Sequence, residues 1–245
     1  MKLVHRMTLL VFYLSFLLVQ PVSSQQNIVL NTANAPPNAT EDFQGIGDRV
    51  LREAFKRLGI HLKIVKLPSE RALLNANDGI DDGNFARVAG LSKIYTNLIQ
   101  VPEPILKFEF VAISKKDNLQ ITDWKSLRPY NVGIITGWKI LEKNISGART
   151  LTKVKNKKIL FNLLLANRVD LIVYDKKQGM VVLNKLQINK GVYFLEPALA
   201  EKQMYPYLHK KHKDLVPRLA EAIRGLKADG TYHRILEEVL APLWN

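Results

Sequence analysis

The sequence predicts an α/β protein with a mostly parallel sheet and helices on both of its faces. Three observations predict it. Between residues 27 and 79 the apolar pattern switches from strand to helix and back, in the order β-α-β-α, which parallel crossovers generate. Residues 169–174, Val-Asp-Leu-Ile-Val-Tyr, form a near-continuous apolar run of the kind found in strands covered on both faces. The chain has 245 residues, 47% of them apolar, more than one small core needs, which favours two compact lobes.

The elements follow in order. Residues 27–33 read as a short buried strand, followed by a loop at Pro36-Pro37. Residues 45–58 read as a helix, because Val50, Leu51, Ala54, Phe55 and Leu58 fall on one face, and Gly59 stands where a left-handed C′ residue belongs. Ile60, Leu62 and Ile64 alternate with polar residues as a strand does. Ser69 is placed to cap a second helix carrying Ala72, Leu73 and Leu74 and ending before Gly79. Further strands are expected at 108–112, 132–135, 169–174 and 191–195, with a helix over 158–166 between them. The tail reads as two helices with apolar faces at Leu215, Val216, Leu219, Ile223 and Leu226, then at Ile235, Leu236, Val239 and Leu240, separated at Asp229-Gly230.

Composition removes several classes. Without cysteine there is no disulfide scaffold, no cysteine-based metal site and no thiol nucleophile. The apolar content argues against disorder. The sequence shows no phosphate loop, dinucleotide fingerprint, nucleophile elbow or HExxH motif, and no cofactor is expected. His209 and His212 are spaced for half a metal site, but the lysines between them would repel a cation, so a solvated basic turn is the expectation. Lys2, His5 and Arg6, an apolar run over 7–19, and small residues at 22–24 predict a cleavable signal peptide at 1–24 and export to the periplasm. The run is short of the roughly 20 residues a membrane span needs. Export, and the lack of a stripe of stacking aromatics, argue against nucleic acid as the partner of this basic chain.

A series of landmarks then carries a resemblance. Residues 45–59 (GIGDRVLREAFKRLG), the stretch Asp81-Asp82-Gly83 through Arg87, residues 98–105 (LIQVPEPI), residues 124–134 (WKSLRPYNVGI), Val169-Asp170 through Asp175, and residues 226–235 (LKADGTYHRI) come in the order seen in family 3 extracellular solute-binding proteins. The chain resembles that family, which has the type II periplasmic binding fold. The resemblance implies two α/β lobes joined by two hinge crossings, with residues 25–111 plus 196–245 as lobe 1 and 112–195 as lobe 2. It also implies a small-molecule ligand between the lobes, no enzymatic activity, a monomer, and an ABC permease or membrane sensor as partner.

Candidate ligand residues are Arg87, Asp175, Trp138, Gly137, Glu70, Arg71 and Tyr95. By resemblance Arg87 meets a ligand carboxylate, a role its planar pair of donors suits. Asp175, at the end of an apolar strand, has two open readings: an acid for a ligand amino group, as in the relatives, or the N-cap of the helix that follows. Asp170 reads as a structural or turn residue. At Gly137-Trp138 the family pattern has a hydroxyl residue after the glycine, contacting a carboxylate at a helix start. Trp here departs from amino-acid recognition, and Trp138 reads as a stacking surface or a core residue. Glu70 reads as a residue favoured by the helix dipole, with a cleft role for Glu70 or Arg71 the alternative. Tyr95 or Trp138 is the candidate stacking partner.

The expected function is capture of a small polar carboxylate-bearing ligand, an amino acid or related metabolite, for an ABC permease. Alternatives are a ligand-sensing module of a membrane receptor and a small dehydratase or lyase with Glu70 as general base. The net charge of +14 sharpens one point: residues 112–195 hold 16 Lys+Arg against 5 Asp+Glu, whereas residues 25–111 hold 10 of each. A neutral lobe joined to a basic one points to an anionic ligand, an acidic partner face or a membrane surface, or to solubility alone.

Overall fold

A computed structural model describes residues 27–241. The expected signal peptide lies outside the described residues. The strands β1 (Asn27–Thr32) and β2 (His61–Lys66) pair in parallel through the crossover helix α1 (Ile46–Arg57). Val50, Leu51, Ala54 and Phe55 of α1 are buried, as the spacing predicts. Asp48 fixes the start of α1 by accepting the Gly45 N–H at 3.1 Å, and the chain leaves through Gly59 at φ +69°. The next helix, α2 (Ser69–Asn77), starts one residue earlier than the sequence suggests. Pro68 is its N-cap and Ser69 its first residue, so the Ser69 hydroxyl makes no cap and is free to face the cleft.

Then come β3 (Gly83–Arg87), β4 (Leu98–Gln100) and β5 (Leu106–Ser114), followed by β6 (Asn131–Ile135), α3 (Lys139–Asn144), β7 (Thr150–Val154), α4 (Lys157–Leu165), β8 (Leu171–Asp175) and α5 (Lys176–Lys185). The chain finishes with β9 (Tyr193–His209), α6 (Leu215–Ala228) and α7 (Thr231–Leu240). Among the described residues the strands form one curled sheet in the order β2-β1-β3-β9-β5-β8-β6-β7, with β4 also on β9. The outer pairs of each half, β1 with β2 and β3, and β6 with β7 and β8, are parallel. The middle is antiparallel, because β5 and the 17-residue β9 carry the chain out of one half and back. One end of β9 pairs with β3 at Tyr205–Leu208; the other pairs with β5.

The second half has an aromatic centre. Trp138 stacks on Tyr174 with ring centroids 4.9 Å apart and planes 11° from parallel. Phe108, Phe110 and Phe161 meet that pair edge-on or tilted at 5.6–5.9 Å.

Candidate functional site

The carboxyl ends of the parallel strands in both halves face one another, and ligands in open α/β sheets bind there. Arg87, the last residue of β3, lies in this seam and is buried. It donates through Nη1 to Ser69 Oγ at 2.7 Å, through Nη2 to Ser69 C=O at 2.9 Å, and through Nε to Asn84 Oδ1. Nη1 also reaches across the seam to the Gly137 carbonyl at 3.5 Å. All four acceptors are neutral. Burial pulls the guanidinium down to about 10, with Tyr95 and Glu70 opposing, so it keeps its charge at neutral pH.

Gly137 and Trp138 answer Arg87 from the other side. Gly137 has φ +85°, and a Cβ there would sit 2.5 Å from the Glu70 backbone nitrogen. Only glycine lets the two backbones come this close. Trp138 borders a cavity of about 30 Å³ together with Asn34, Arg87, Phe108, Lys139 and Met204. The Trp138 ring thus packs in the aromatic core and also lines the cavity.

Glu70 pairs across the seam with Lys139 at 2.7 Å. Lys139 also meets Glu142 at 3.1 Å, and Glu142 accepts the Gly137 N–H at 3.0 Å. Burial pushes the Glu142 carboxyl up, but that amide and Lys139 outweigh it, and the group lies below the ordinary carboxylate range. Lys139 is raised despite burial because Glu70 and Glu142 both hold its charged form. The amide that the family pattern offers to a ligand is therefore taken here by Glu142. Ala35 N–H adds a third cross-seam bond, to Gln178 Oε1 at 3.1 Å.

Of the other candidates, Tyr95 lies beside Lys139 at the edge of this group, whereas Asp175 and Arg71 line neither cleft cavity. Asp175 is the N-cap of α5: one oxygen accepts Gln178 N–H and the other Glu109 N–H, each at 3.1 Å. It is buried, its carboxyl is pushed up to about 6 by desolvation, and it lines neither cleft cavity. Asp170 accepts the Asn131 N–H at 2.8 Å, a structural position. Arg71 is exposed on the outer face of α2 and lines neither cavity. Tyr95 is buried in a small cluster with Leu73, Leu91, Leu98 and Tyr207; its hydroxyl is raised by burial, which outweighs the adjacent Lys139. His212 pairs with Asp82 at 2.7 Å in the basic turn. Sequence reasoning missed Asn84, Lys139 and Glu142. The i, i+3 spacing of Lys139 and Glu142 was a signal for the last two; nothing marked Asn84.

A second, larger cavity adjoins the first. It holds about 360 Å³, shares Ala33 and Asn34 with the first, and is lined from both lobes, including Ser69, Tyr174, Lys66, Lys155 and Lys157.

No family model matches the chain. An uncharacterised protein of Shewanella oneidensis is 25% identical over 203 residues, covering 78% of this chain and 75% of that one. The solved substrate-binding protein of an amino acid ABC transporter superposes with a TM-score of 0.72 at 18% identity, covering 86% of this chain and 98% of the other. A histidine kinase sensor domain described as similar to periplasmic binding proteins superposes with a TM-score of 0.77 at 16% identity, covering 88% and 96%. With β5 and β9 as its two crossings and Arg87 in the seam between the halves, this chain has the two-lobed α/β fold of the type II periplasmic binding proteins.

Proposed function

We propose that the protein is a periplasmic, non-enzymatic solute-binding protein that captures a small carboxylate-bearing solute, an amino acid or related metabolite, between its lobes. The observation that carries the reading is Arg87, a buried cation in the seam whose contacts are all neutral. An unpaired buried charge costs several kcal/mol, and a planar carboxylate offers a guanidinium two parallel acceptors. The Gly137 carbonyl, at the 3.5 Å limit, is the contact a ligand would replace. The cavity beside Arg87 has room for about one water in this closed arrangement, so ligand enters when the lobes part. The polar contacts across the seam, Glu70–Lys139, Ala35–Gln178 and Arg87–Gly137, are of a kind water can replace. A ligand that adds contacts to both lobes then shifts the population to the closed form.

Closure presents a surface to a partner. Delivery to an ABC permease is the favoured outcome, in keeping with the transporter protein of the same fold. The sensor domain of the same fold supports a second reading, in which closure signals through a membrane receptor. Glu70, the base an enzyme reading would use, is ion-paired to Lys139.

The test is a melting-shift screen of the purified protein against amino acids, dicarboxylates, polyamines and small peptides, with the solutes assayed for turnover. A carboxylate-bearing solute is expected to raise the melting temperature unchanged. Arg87→Ala is expected to lose that shift while its circular dichroism stays native. An undiminished shift in the variant would remove Arg87 from the site, and consumption of the solute would favour an enzyme.

A further inference from the structure

We infer that the ligand carries a second anionic group, a carboxylate or a phosphate, seated in the larger cavity among Lys66, Lys155 and Lys157. The inference rests on the solute-binding reading, with Arg87 taking the first anion.

Position supports it. Parallel strands of both halves end at this cavity: β1 at Thr32, β2 at Lys66, β6 at Ile135 and β8 beside Tyr174, with Lys155 directly after β7. That is where an open α/β sheet places a ligand. Ser69, whose hydroxyl and carbonyl both hold Arg87, also lines this cavity, and the cavity shares Ala33 and Asn34 with the one that Arg87 borders, which places the two anion positions side by side. At about 360 Å³ the space lies within the range of small-ligand pockets, about 300–1,000 Å³.

Charge supports it independently. Three lysines face one carboxylate, Glu41, which pairs with Lys66 at 2.6 Å and is almost wholly exposed. Lys157 lies half-buried at the first turn of α4, a nine-residue helix with two lysines and no acid in that turn. This reverses the usual arrangement, since a helix start favours anions. Burial lowers the Lys157 ammonium, and Lys66 and Lys185 lower it further against the opposing pull of Glu41. Lys66 and Lys185 therefore repel Lys157, and an anion beside it relieves the repulsion. A cationic group in the same place would increase it.

The probes are dicarboxylates of graded length, their monoamides, O-phosphoserine and arginine, each scored by its shift of the melting temperature of the full chain at low ionic strength. At one chain length the diacid is expected to bind at least about tenfold more tightly than its monoamide, and arginine not at all. O-phosphoserine outperforming every dicarboxylate would identify the second group as phosphate; the reverse order would identify it as carboxylate. Lys157→Met is expected to erase the preference for diacid over monoamide. Its unliganded melting temperature should equal or exceed that of the parent, because a repulsion has been removed, which separates loss of the subsite from misfolding. If monoamides or arginine bind as well as diacids, or if Lys157→Met keeps the preference, the second-anion inference is wrong while the solute-binding reading survives. If none of these probes shifts the parent protein while another solute of the broader screen does, the second-anion inference is wrong; if no solute of either set does, both readings fall.

Discussion

The two lobes use their acidic residues differently. In lobe 1, with the boundaries proposed from the sequence, acids pair with bases: Lys66 with Glu41, Arg57 with Asp229, Arg49 with Glu238, and Lys227 with Glu103. In lobe 2, four of the five acids accept backbone N–H groups, and of those four Glu142 alone also pairs with bases, Lys139 and Lys153. Asp123 takes Ser126, Asp170 takes Asn131, Asp175 takes Glu109 and Gln178, and Glu142 takes Gly137. Among the described residues, three of the 16 basic residues of that lobe, Lys139, Lys153 and Lys176, have an ion-pair partner. The basic character of lobe 2 thus follows from its composition, and the use of its few acids at turns and helix starts leaves the part that faces the cleft available to a ligand.

The largest expected effect comes from the aromatic centre of lobe 2. Trp138→Ala removes the ring stacked on Tyr174 and is expected to cost about 3–5 kcal/mol in urea unfolding. Phe55→Ala, in the fully buried core beneath α1 of lobe 1, is expected to cost a similar amount. If both variants move one common transition, the long shared strand β9 makes the lobes a single cooperative unit. If each moves a separate transition, the lobes unfold independently.

The next effect depends on pH and treats the lobes alike. Asp48 in lobe 1 and Asp175 in lobe 2 each accept two backbone N–H groups and are each pushed up to about 6, chiefly by desolvation. A carboxyl raised above its unfolded value of 3.8 binds protons more tightly when folded. Its contribution to stability is complete below about pH 3.8 and is lost as pH rises through about 6. A shift of this size corresponds to about 3 kcal/mol per group. Asp175→Asn is expected to flatten the fall in stability between pH 4 and pH 6 by about that amount, read from urea midpoints across the range. The variant is less stable overall, because an asparagine side chain has one acceptor where Asp175 uses two.

These residues also mark what could be read in the sequence. The alternation of Ile60, Leu62 and Ile64 and the face from Val50 to Leu58 are packing signals, and packing is periodic, so β2 and α1 were legible. The strand β3 was not, since its five buried positions include Asn84 and Arg87, which satisfy polar partners rather than fill an apolar layer. Most of β9 was hidden by Pro197 and Pro206 and by exposed polar residues on a stretch that spans both halves. At the site, Arg87 could be named from its motif. Its partners could not, because Ser69 and Gly137 lie 18 and 50 residues away in the sequence and come beside it only in the folded chain. The two roles of Asp175 were indistinguishable until Glu109 N–H was seen to occupy the second oxygen.

The smallest effect bears most directly on the comparison, because the lobes should differ in its sign. Lys227 in lobe 1 pairs with Glu103 and lies over the Tyr232 ring, so Lys227→Gln is expected to lose about 0.5–1 kcal/mol. Lys158 in lobe 2 is exposed and follows Lys157 at a helix start, where the dipole disfavours a cation. Lys158→Gln is therefore expected to gain about 0.3 kcal/mol at low ionic strength. Salt separates this gain from a change in helix propensity. At about 1 M salt the screening length falls to about 3 Å, and an exposed charge no longer feels its neighbours. The gain should then vanish, whereas a propensity effect would persist. A loss of stability from Lys158→Gln at low salt would show that the lysines of lobe 2 are already balanced, and the account of its unpartnered charge would be wrong.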